Sequence, residues 1–280
     1  MAIKDEQGDN AVELDVELSR KVRDPNVELP ADLRYEATRY VDIAAGSDID
    51  LPGMIREPSI ELPAGFRYGV TRYADIILKQ AFPQKFTDVV TNLEEFYIDY
   101  EADIKALGGS RARHTARHDQ GLTDRGWAKH NVTIEKRVDG EPVFKVRNHE
   151  IDVFTMGDDG KYPGIADEME WNNKDPFFHR DLNNFQALHR EGVIAVGVII
   201  TRGPRLQELL EYLASRGEYP KTKYGKATTH WNKLTPMIDM GGGGECPLLC
   251  IGIEPEKVNG LPIGLLEDFR YSDGSQVRLG

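Results

Sequence analysis

From residue 71 onward the apolar and polar positions of this chain fall into definite periods. Apolar residues three or four apart run over 71–81 and again over 86–106, which predicts two helices. Gly108, Gly109 and Ser110 end the second run, and Ser110 stands where it can cap a third helix over 111–122, stopping near Gly126 and Trp127. The period then changes to two. Residues 132–137 and 142–146 alternate and turn at Asp139-Gly140, the pattern of a hairpin. Further strands are expected at 150–154, 165–171, 193–201 and 248–253, with helices at 181–190 and 204–215. The stretch VIAVGVII is apolar on both faces, as a central strand covered by helices on both sides must be. This order predicts an α/β fold, a central mixed β-sheet flanked by helices.

Two regions stand outside those periods. Residues 23–43 (RDPNVELPADLRYEATRYVDI) are repeated at 56–76 (REPSIELPAGFRYGVTRYADI). Two copies are too few for a solenoid, so this is a tandem duplication that lengthens the N-terminal region. Each copy carries RYxxTRY, at Arg34, Tyr35, Arg39 and Tyr40 and at Arg67, Tyr68, Arg72 and Tyr73. Those side chains suit packing on the other copy or the core, or a grip on a backbone or partner. The second region, 221–244, is long, polar and weakly patterned, and ends in four glycines.

Composition bounds the function. Hydrophobic residues make up 40% and charged residues 29%, the mix of a soluble globular protein. No apolar run approaches the ~18 residues of a membrane helix. The acidic, polar start of the chain is unlike a secretory signal, and a cytoplasmic (bacterial) location is the expectation. Cys246 and Cys250 have the wrong spacing for a zinc knuckle and read as buried, reduced thiols. A net charge of −12 argues against nucleic acid as a partner, but the basic residues cluster, over 110–118 and from Arg216 through Lys221, Lys223 and Lys226. Binding depends on the local field rather than the sum.

The chemistry concentrates in IADEMEWNNKDPFFHRDL, residues 165–182. Period two points Glu168 and Glu170 to one side of their strand and Asp167 to the other. Asp152, in EIDVF, lies one short turn upstream and can sit beside them. A solvated acidic hairpin face is the simplest account. Against it, the flanking residues are apolar, and carboxylates packed this closely repel unless a cation is present. Hard oxygen ligands with open positions suit one or two Mg²⁺ ions, which can activate water and polarise a phosphodiester.

Four segments, EIDVF, DEMEWNNKDPFFHRDLNNFQALH, GVIAVGVIITR and GGGGECPLLCIGI, resemble type II restriction endonucleases of the BglII group, related to BamHI. The resemblance covers 107–253 and is strongest over 152–202. It implies the restriction-endonuclease-like, PD-(D/E)XK fold, with an N-terminal extension over 1–80 and a catalytic domain over 81–280 that includes a DNA-recognition loop at 221–244. It implies Asp152 and Glu168 as metal-binding acids and Glu170 at the third catalytic position, where many nucleases of this fold carry lysine. A glutamate lends no positive charge to the transition state, so Lys174 or a second metal ion would supply it; an ion pair at the strand end is the other reading of Lys174. The start of the 111–122 helix, with Arg111 and Arg113, suits a phosphate, and His149 is placed to approach the scissile one. Asp175 and Asp181 read as a turn and a helix cap. Lys223, Lys226, Thr228, Thr229, His230 and Lys233 are the candidates for DNA recognition. The family implies double-stranded DNA as partner, a homodimer on a palindrome and a cognate methyltransferase sharing the target site. A repair or structure-specific nuclease, a non-catalytic DNA-binding protein and an acidic adaptor are the competing readings.

Overall fold

The run around Val198 lies at the middle of a six-stranded mixed sheet. In the computed structural model the described residues are 54–106, 111–174 and 176–277, with the side chains of 146–149 excepted. The first repeat copy, Ser110, Asp175 and the side chain of His149 lie outside them. Residues Pro52–Gly280 form one compact unit. The sheet runs in the order β1 (Phe66–Val70), β7 (Leu248–Ile253), β6 (Ile194–Arg202), β5 (Gly164–Met169), β4 (Glu141–Thr155), β3 (Ala128–Val138). β5, β6 and β7 are parallel, and the other pairs are antiparallel.

Alternation along the central strands sorts the core into two layers. Val196, Val198 and Ile200 of β6 and Leu249, Ile251 and Ile253 of β7 face one side. There they meet α1 (Ala74–Ala81), α2 (Pro83–Glu95), α3 (Arg113–Asp124) and α5 (Pro204–Ser215). Ile199, Leu248 and Cys250 face the other side, against α4 (Pro176–Arg190) and α6 (Trp231–Asp239). Both cysteines are buried and free.

The hairpin expected at Asp139-Gly140 forms. Both turn residues have positive φ, 53° and 89°, which matches the twist of the flanking strands. Several expectations change. The two strands at 142–146 and 150–154 are one strand, β4, whose alternation is broken by three register shifts against β3. The helix expected to reach residue 106 stops at Glu95. Beyond it lie a short strand β2 (Ile98–Asp99), paired with β8 (Val258–Asn259), and a π-helical turn, Tyr100–Lys105. The Asp99 carboxylate accepts from Ala102 N at 2.7 Å and Asp103 accepts from Asp99 N at 2.8 Å, local bonds that compete with a continuing helix. α3 starts at Arg113 behind Ala112, without a side-chain cap. α4 starts at Pro176, a residue suited to a first helical position, so Asp181 lies inside the helix and caps nothing.

The region 221–244 is no open loop. It contains α6, which buries Trp231, Leu234 and Ile238, and Pro236 inside the helix obscured that pattern. The four glycines form the turn from α6 to β7, and Gly242, Gly243 and Gly244 pack against Leu182, Gln186 and Leu248. β1 and α1 belong to the sheet and its core, so the second repeat copy lies in the same compact unit as the sheet.

Candidate active site

β4 and β5 pair Val153 with Asp167, which brings Asp152 beside Glu168. The Asp152 amide donates to Glu168 Oε1 at 3.1 Å. Asp152, Glu168 and Glu170 line one cleft of about 880 Å³. Glu168 and Glu170 are buried, at 6% and 3% exposure. Burial and the neighbouring Asp152 and Asp181 carboxylates push the Glu168 pKa up to about 9. Burial and Asp181 push that of Glu170 up to about 8. Asp167, as expected of the opposite face, points away and meets His118 Nε2 at 2.8 Å, with Asn92 Nδ2 behind that ring at 2.9 Å.

Glu170 is held from two sides. Asn173 Nδ2 donates to its Oε2 at 2.5 Å, and Arg180 Nη2 donates to its Oε1 at 3.2 Å. Arg180 also reaches Asp181 Oδ1, at 2.7 Å from Nη2 and 2.8 Å from Nε. α4 makes this possible, because its first turns carry Arg180 and Asp181 against the end of β5.

Five basic residues share the cleft with these acids and with Asp103 and Glu150. Arg111, Arg113, Lys129, Arg180 and Lys223 line it. Arg111 pairs with Asp119, Lys129 pairs with Glu150 at 2.6 Å, and Lys223 donates to the carbonyls of Ile104 and Ala106.

Of the residues singled out from sequence, the cleft gathers Asp152, Glu168, Glu170, Arg111, Arg113 and Lys223. Lys174 is exposed, is not among the residues lining the cleft, and bridges Thr228 through its backbone. Thr229 and His230 are buried, at 0% and 6% exposure, and present no free edge to a base. Thr228 is bonded by Arg202. Lys226 is exposed and Lys233 half-buried, both away from the cleft lining. Sequence reasoning missed Lys129, Asn173, Arg180 and Asn184 as cleft residues. For Arg180 and Asp181 the signal existed in Pro176 as a helix start; nothing in the sequence singles out Lys129.

The donor set suits a hard divalent cation. Glu168 and Glu170 are both buried and both repelled by Asp181, and Mg²⁺ takes one or two carboxylates and completes its shell with water. Among the described residues no three acids, histidines or cysteines converge at ligating distance, so the protein side of such a site is sparse.

The fold and cleft therefore set acids and basic side chains together on a mixed sheet between helical layers. The chain matches the family model Restriction endonuclease BglII/BglIII over residues 66–253, from the first residue of β1 to the last of β7, and it belongs to that family. No curated protein matches it. The family makes the chain a nuclease that acts on DNA, and restriction endonucleases generally use divalent metal ions. No helix among the described residues is long and apolar enough to cross a membrane.

Proposed function

We propose that this chain is a Mg²⁺-dependent type II restriction endonuclease that hydrolyses phosphodiesters of double-stranded DNA at a specific, palindromic site. The observation that carries the reading is that Asp152, Glu168 and Glu170 line one cleft together with Arg111, Arg113, Lys129 and Arg180, in a chain of this family. Asp152 and Glu168 are the residues that would hold the ion. When bound there, it supplies charge for the phosphoryl oxygens and for the leaving oxygen and lowers the pKa of water.

The side chains do the rest. Glu170, which lines the cleft, accepts the proton of the attacking water in its ionised form, and burial raises its proton affinity. Arg180 takes the cationic role expected of Lys174, because it lines the cleft beside Glu170. Arg111, Arg113 and Lys129 bind the flanking phosphates, contacts that fix register without reading sequence. The chain acts as a homodimer, since a palindrome presents two equivalent strands to two equivalent clefts, and a methyltransferase of the same specificity protects the host site.

Incubation of the protein with a plasmid of known sequence and Mg²⁺ gives discrete fragments whose ends map to one palindrome. A smear, or unaltered plasmid, rejects the reading. Glu168→Ala retains Ca²⁺-supported specific binding within about threefold but loses cleavage by about 10³-fold or more, since oriented charge stabilisation is the main protein contribution. Cleavage at the normal rate by this variant would show the site to be misplaced.

A further inference from the structure

Arg202, the last residue of β6, is fully buried, at 0% exposure. Among the described residues no carboxylate pairs with it. An unpaired buried cation is costly, so its contacts should explain its presence. Burial lowers its pKa to about 10, which leaves it charged at neutral pH. The guanidinium lies 5.3 Å from the Tyr224 ring centroid and 5.7 Å from that of Trp171, and both aromatics line the cleft. Its hydrogen bonds go to one place. Nε and Nη2 donate to Thr229 O at 3.1 and 2.7 Å, and Nη2 donates to Thr228 Oγ1.

Thr228 and Thr229 are the residues that touch the active-site loop. Thr229 N donates to Asn173 O at 2.8 Å, and Thr228 forms a β-bridge with Lys174. Asn173 in turn donates its side chain to Glu170. Upstream, the same segment is fixed by Gln207 Nε2 on Tyr224 O at 3.0 Å and by Tyr224 OH on Ile104 O at 3.2 Å. Those anchors hold its far end, while Arg202 grips it next to Asn173, where Thr228 also turns back on Gly225 O through its N and Oγ1. A continuous chain of contacts therefore runs from Arg202 through Thr228 and Thr229 to Asn173 and the Glu170 carboxylate.

We propose that Arg202 is a positioning residue for cleavage: it pins residues 228–229 against the 172–174 loop and thereby sets where the Glu170 carboxylate stands in the cleft. It touches neither DNA nor the reacting atoms. The burial that makes the cation costly also makes the pin rigid, since water cannot compete for Thr229 O. This inference rests on the endonuclease reading, which wild-type cleavage of plasmid DNA tests by itself.

The test compares wild type with Arg202→Met, Arg202→Lys, Thr228→Val and Asn173→Ala on a plasmid carrying the mapped site. A misplacement of about 1 Å at a catalytic group costs about 10²-fold in rate. Arg202→Met therefore lowers kcat by about 10²-fold, with KM and Ca²⁺-supported DNA binding within about threefold of wild type. Arg202→Lys recovers part of the loss. Thr228→Val, which keeps shape and removes the hydroxyl that accepts from Arg202 and donates to Gly225 O, and Asn173→Ala lose kcat in the same direction. If Arg202→Met fails to give a cooperative thermal transition, the last two variants decide. Folded variants with wild-type kcat overturn the proposal, as does a loss confined to KM and binding, which would make the pin an element of DNA binding instead.

Discussion

His114 shows how much a single side chain on α3 depends on its surroundings. It is fully buried, neither ring nitrogen has a partner among the described residues, and its ring packs edge-on against Trp171 at 4.1 Å. Burial lowers its pKa to about 3, against the opposing pull of Asp103; Arg117, Arg202 and His118 also disfavour the charged form. The native state therefore holds a neutral imidazole, while the unfolded chain binds a proton below about pH 6.5. The folded pKa is the depressed one, so stability is complete above pH 6.5 and falls as pH drops from there toward 3. Between pH 7 and pH 5 the loss is about 2 kcal/mol from this residue. Chemical denaturation at the two pH values, for wild type and His114→Gln, measures it. The Gln variant loses less across that interval, and equal losses would remove His114 as the source. No sequence signal marked this histidine. By contrast Glu168 and Glu170 were legible, because period two alone puts them on one face. Arg180 was missed, because its role depends on where α4 begins, and Pro176 alone signals that start.

At the scale of elements, regular patterns were read well and interrupted ones were not. α5 and β7 match their predicted bounds, since nothing breaks their apolar period. β4 was split by its register shifts, α6 was hidden by Pro236, and the π-helical turn was read as more helix. The duplicated motif taught more in three dimensions than in one. Its second copy forms β1 and enters α1. There Thr71 Oγ1 accepts from Leu248 N at 3.1 Å, Arg72 Nε donates to Gly244 O at 3.0 Å, and Asp75 pairs with Arg56 at 3.3 Å. The first copy has the same polar residues but places Glu36 where the second has Gly69. A Cβ at Gly69 would stand 2.8 Å from Ile55 Cγ2 and 3.2 Å from Trp231. The copies are therefore not interchangeable in the edge-strand position. Gly69→Glu, which writes that one difference into β1, costs on the order of 3 kcal/mol through overpacking and a buried charge. A urea denaturation midpoint unchanged from wild type would refute this.

At the scale of the whole molecule, a chain of net charge −12 is proposed to bind a polyanion. The contradiction dissolves if the field is divided by place, because binding reads only the charges within about a Debye length of the phosphates. The cleft sets Arg111, Arg113, Lys129 and Arg180 around its acids, and a divalent cation would offset those acids further. The affinity for DNA then comes from few contacts and is strongly salt-dependent, with log K falling by about 0.9 per log unit of salt for each phosphate contacted. Arg113→Ala removes one such contact per cleft without touching the acids. Measured with Ca²⁺ on a duplex bearing the mapped site, it lowers the salt slope by about 0.9 per subunit bound and weakens cognate and unrelated duplexes alike. An unchanged slope would place Arg113 outside the DNA path. A loss on the cognate duplex alone would make it a reader of bases.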